Sequence, residues 1–110
     1  MSIHSFSFTP DADGTVEVTA TYEAKYTSGP TTDWGFGANS AGSCAAITQS
    51  GSTTTGPTKA MTTTFSSQTA IAVADVVAGS SVTVALSSVL TGLVSARYQN
   101  IHLVAVLRKR

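Results

Sequence analysis

The C-terminal stretch SARYQNIHLVAVLRKR, residues 95–110, constrains the fold more than any other part of the chain. Read as a β-strand, it is apolar on both sides. Ile101, Leu103, Ala105 and Leu107 project one way, and His102, Val104 and Val106 project the other. A strand in a sheet with one wet face shows a single apolar side, so this strand is expected to be covered twice. A chain of 110 residues builds one layer of core readily, and a partner subunit is the natural second cover. His102, Val104 and Val106 are therefore the predicted oligomer interface, and the expected role is assembly.

The rest of the sequence reads as strands and turns. Val16, Val18, Ala20, Tyr22, Ala24 and Tyr26 alternate with Glu17, Thr19, Thr21, Glu23 and Lys25, the two faces of one strand. Residues 3–8 form a shorter strand before it, closed by the turn PDADG at 10–14. Further strands are expected at 44–49, 58–65, 69–76, 81–88 and 97–107, with Gly79 free to turn the chain between two of them. Residues 87–96 are broken by Gly92 and read as a loop or irregular strand, and the Gly-Ser-Thr run at 50–57 reads as a mobile tip. Helix signals are nearly absent. About seven or eight short strands make a single all-β domain over residues 1–110, an antiparallel sandwich of jelly-roll type.

Composition narrows the function. Only 11% of residues are charged and the formal net charge is zero, so no field exists to hold nucleic acid. The cluster Arg108, Lys109 and Arg110 is too small for that work and reads as a solvated tail. No run of about 20 apolar residues is present to span a membrane, and the N-terminus does not read as an export signal. Synthesis in a cytoplasm is the expectation. Cys44 is the one cysteine and reads as a small buried side chain, with no disulfide and no multi-cysteine zinc site.

Three segments taken in order, FSFTPDADGTVEVTA at 6–20, VVAGSSVTVAL at 76–86 and NIHLVAVL at 100–107, are similar to a known pattern. The succession resembles the trimeric jelly-roll heads of the tumour-necrosis-factor and complement-head type, and the similar heads of bacteriophage fibres and capsid decoration proteins. The resemblance covers most of the chain except residues 27–43. It implies a homotrimer, terminal strands side by side in the inner sheet near the trimer axis, and location in a virion. The implied partners are copies of the chain, capsid or tail proteins, and a host surface glycan.

Residues 27–43 hold four of the nine glycines around Trp34 and Phe36, with Asp33 and Asn39 alongside. An exposed aromatic with polar neighbours can stack on a sugar ring, which makes this loop the candidate site of a carbohydrate-binding module or adhesin. The competing role, and the expected one, is a plug in which the Trp34 indole fills the open end of the sandwich. His4 and His102 could share a metal only if the first and last strands are neighbours, and no acidic or thiol ligand is spaced to complete the set. Serines are plentiful but none sits in a Gly-x-Ser-x-Gly elbow, and Glu17 and Glu23 lie about 20 Å apart along one strand face. Asp11, Asp13, Asp33 and Asp75 read as turn residues. No catalytic residue, cofactor or metal ligand is assigned, and the chain is not expected to be an enzyme.

Overall fold

The longest alternating segment organises the molecule. The computed structural model describes residues 2–28, 40–91 and 94–109. β2 (Gly14–Ser28) runs between β6 (Ser66–Val76) and β8 (Val94–Lys109) in a three-stranded sheet ordered β6-β2-β8. Facing it is a second sheet in which β1 (Ser2–Phe8), β7 (Val82–Thr91), β3 (Ser40–Gln49) and β4 (Ser52–Thr55) follow in that spatial order. The stub β5 (Lys59–Ala60) also pairs with β3. All pairings are antiparallel. The expected β-sandwich is present, with no helix among the described residues.

The core lies between the sheets and follows the alternation. Val16, Val18, Ala20, Tyr22 and Ala24 of β2 face Val82, Val84 and Leu86 of β7 and Ala41, Ala45 and Ile47 of β3, all buried. Ala70, Ala72 and Val76 of β6 complete one flank. On the other flank Ile101, Leu103, Ala105 and Leu107 of β8 pack half-buried against the same cluster. Tyr22 places its one polar atom inside this layer. Its hydroxyl shares a 2.6 Å hydrogen bond with Ser43, which is fully buried, and its ring tilts against Tyr98 at 5.9 Å. Cys44 is buried, as expected.

Three local expectations are corrected. Residues 50–57 carry β4, which pairs with β3 through a two-residue turn, with Ser50 at φ 52° and Gly51 at φ 81°. Positive φ at both positions matches the right-handed twist of the flanking strands, so a segment of low complexity still forms a hairpin. The strand expected over 58–65 shrinks to β5. There the chain crosses between sheets, and buried Met61 donates its amide to the Ala41 carbonyl at 2.9 Å. Residues 87–96 are strand up to Thr91 and again from Val94.

The terminal strands do not lie side by side in one sheet. Both edges of β2 are taken, by β6 and β8, so β1 pairs with β7 in the facing sheet. The turn that carries the chain across is anchored by two bonds to the β6–β7 turn. The Pro10 carbonyl accepts from Gly79 N–H at 3.0 Å, and the Asp13 carboxylate accepts from Ala78 N–H at 2.9 Å. Gln49 fixes the same turn from β3, donating to the Val77 and Ser80 carbonyls and accepting from Val77 N–H.

Tyr22→Phe is expected to cost about 1–3 kcal/mol, because it leaves the buried Ser43 hydroxyl without a partner. Tyr22→Phe with Ser43→Ala should recover part of that loss. Burial pushes the Tyr22 phenol above its ordinary value of 10.0. The folded state therefore holds that proton more tightly than the unfolded one, and its contribution is complete below pH 10 and lost above it. Denaturant titrations from pH 8 to 11 should show a steeper alkaline loss for the parent chain than for Tyr22→Phe.

Candidate functional site

The outer faces of the two sheets differ in chemistry. The register of the larger sheet aligns Ser7, Thr83, Thr48 and Thr53 in one outward row. Hydroxyl contacts join its ends, Ser7 to Thr83 at 2.8 Å and Thr48 to Thr53 at 2.9 Å. That face offers water a row of hydroxyls. The β6-β2-β8 sheet does the opposite. Its register sets Val73, Glu17 and Val106 in one row, Ile71, Thr19 and Val104 in the next, and Thr69, Thr21 and His102 in a third.

Two of those rows are apolar at both ends. Ile71 is 45% exposed, Val73 51%, Val104 55% and Val106 47%, and they flank the β2 residues Glu17 and Thr19. The distribution of side-chain size sharpens the observation. β6 turns Ala70 and Ala72 inward and leaves Ile71 and Val73 in water, while β8 turns Ala105 inward and leaves Val104 and Val106 out. A sandwich optimised for itself alone would place the larger apolar groups inside, since full burial of a Val or Ile side chain contributes about 1.5–3 kcal/mol. Isolated exposed apolar residues need no explanation, but a cluster framed by polar groups marks a contact surface.

Polar groups close both ends of the patch. At one end Glu17 meets the Arg108 guanidinium at 3.6 Å, with Arg108 largely exposed, so the pair contributes little to stability. At the other end Asn100, at φ 53°, sits at a β-bulge and donates its side-chain amide to Glu23 at 2.5 Å. Lys25 lies over the Phe65 ring at 4.8 Å beyond that. Behind β8 the opposite end of the chain is tied down. Lys109 donates to Asp11 at 3.0 Å and holds that carboxyl below its usual range, through the hydrogen bond first and its charge second.

The structure thus brings His102, Val104 and Val106 together on one outward face. Ile71 and Val73 belong to the same patch and were missed in the sequence. Their signal was present in the alternation of Thr69, Ile71, Val73 and Asp75 against four small or β-branched partners, but alternation does not say which face turns out. His4 lies on β1 and His102 on β8, in different sheets, both exposed, so they do not share a site. Among the described residues no three His, Cys, Asp or Glu side chains gather as a metal site. Asp33, Trp34, Phe36 and Asn39 lie outside the described residues. Asp75 accepts from the Thr15 hydroxyl at 3.0 Å across the β2–β6 pair, and Glu17 and Glu23 each engage their own neighbour, Arg108 and Asn100.

No known family, no curated protein and no solved structure matches this chain. The surface chemistry is therefore the ground for a functional reading. With the histidines in separate sheets, chelator is expected to leave the melting temperature unchanged in a thermal scan. A drop of several degrees would show a ligand-bound folded state that these positions do not account for.

Proposed function

We propose that the chain is a structural protein that works by assembling with copies of itself, of the kind that decorates a bacteriophage capsid or heads its fibre or tail. The observation that carries this reading is the uncovered face of the β6-β2-β8 sheet, where Ile71, Val73, Val104 and Val106 stand in water while alanines occupy the core beneath them. Covering the exposed half of each side chain would contribute about 1 kcal/mol per residue by area. The composition fits the same role: few charges, abundant hydroxyls and one buried cysteine suit a durable particle component. A ring of three copies is the closure that the resemblance to phage and tumour-necrosis-factor-like heads supports, with capsid or tail proteins as further partners.

Sedimentation at micromolar concentration is expected to give a multiple of 11.2 kDa, three where the ring forms. One chain mass at every concentration would contradict the reading. Two substitutions on β8 separate assembly from folding. Val104→Asp lies on the outward face and should change the stability of the fold by less than about 0.5 kcal/mol while dispersing the copies. Leu107→Asp puts a carboxylate against the core cluster and should destabilise the fold by about 3 kcal/mol or more.

A further inference from the structure

The four outer strands of the two sheets are not equally protected. A strand at a sheet edge presents unpaired N–H and C=O groups, and natural sheets blunt such edges with short strands, charges, bulges or a covering segment. β4 has four residues, all Ser or Thr. β1 has seven and carries serine at positions 2, 5 and 7. The edge of β6 is covered by the crossing chain. A Cβ at Gly56 would fall on the Ile71 carbonyl, and Gln68 donates to the Ala60 carbonyl at 2.5 Å. β8 has none of these devices from Ile101 to Leu107, between the bulge at Asn100 and the charged Arg108 and Lys109. It runs for 16 residues, with no proline and no Asp, Glu, Lys or Arg from Tyr98 to Leu107. Among the described residues no strand pairs with its far edge.

We propose that β8 pairs antiparallel with β8 of a second copy across a two-fold axis at Val104. Side chains alternate along a strand, so paired residues must share a face and the register can shift only in steps that keep inner with inner. With the axis at Val104, Ile101 faces the second copy's Leu107 and Leu103 faces its Ala105 on the inner side. On the outer side Val104 meets its own copy and Val106 meets His102. Arg108 then lies opposite Asn100. An axis one residue earlier would set Lys109 against Arg97, and one residue later would set it against Ile101. A parallel alignment would stack Arg108 and Lys109 on their own copies. Apolar matching and charge separation select the same register.

A second observation lies beside this edge. Between the sheets, an open groove of about 480 Å³ is lined by Phe6, Phe8, Ala105 and Leu107. Phe6 is 38% exposed at its mouth. In the paired arrangement the second copy's Ile101 and Leu103 stand next to Leu107 and Ala105 on that same side, extending apolar cover over the groove. The two outward patches also become neighbours on one continuous six-stranded sheet. This contact rests on the assembly reading and adds to it the strand through which copies meet.

The test is disulfide trapping with Val104→Cys, a surface position where residues facing across an antiparallel pair lie within reach of a disulfide. Val73→Cys, on the same face but on the far strand, is the control. Mild oxidation of the intact chain is expected to convert Val104→Cys to a covalent dimer on non-reducing gels and to leave Val73→Cys monomeric. Light scattering of the parent chain is expected to give an even number of copies, two where this contact acts alone and six where it joins two rings of three. Trapping through Val73→Cys alone would overturn the strand contact in favour of face-to-face stacking. So would a mass of three copies. Either result leaves the assembly reading standing, whereas a monomer with no trapping overturns both.

Discussion

The pairing of β2 with β8 on one side, from Gly14 to Ser28, and with β6 on the other, from Gly14 to Ala24, is the constraint on which the remaining structure depends. It fixes which residues of three strands face inward, because one register sets the side of every side chain. It consumes both edges of the central strand and so sends β1 to the other sheet. It also sets Val73 and Val106 across Glu17, and Ile71 and Val104 across Thr19, which joins separate exposed residues into one patch. The bulge at Asn100 then shifts the register of β8, which pairs with β2 on both sides of it. The surface of interest is a by-product of the same ladder that builds the core.

A thin core accompanies this arrangement. β2 and β6 turn Ala20, Ala24, Ala70 and Ala72 inward, and β3 adds Ala41 and Ala45. Small inner residues leave Tyr22 room to span the layer and reach Ser43, a polar contact that specifies how the sheets sit on one another. They also mean that the apolar area held by Ile71, Val73, Val104 and Val106 is not used by the fold itself. A chain with so few charges gains no solubility from leaving that area wet. The proposed cover by another copy would account for both facts together.

Much of this was legible in the sequence, for identifiable reasons. The alternation at residues 16–26 named the buried side of β2 correctly, because tyrosine and valine contrast there with glutamate and threonine. The two-sided pattern at 101–107 named a strand whose outer residues the fold does not cover. Residues 70–74 were harder, since alanine alternates there with isoleucine and valine and carries no polarity contrast. The Gly-Ser-Thr run at 50–57 reads as a loose tip from its low complexity, and the hairpin turn inside it places serine at positive φ, an unusual choice that composition does not signal. The pairing of β1 with β7 follows from edges already occupied in three dimensions, which periodicity along one strand does not encode.

Amide hydrogen exchange across a concentration series tests the central claim most directly, that the free side of β8 is covered by another copy. Only every second amide of residues 101–108 points away from β2, so the expected signal is alternating. Those amides should slow markedly as concentration rises through the association range, while the amides of β6 keep one rate throughout. Exchange at 101–108 that is fast and the same at every concentration would contradict the account.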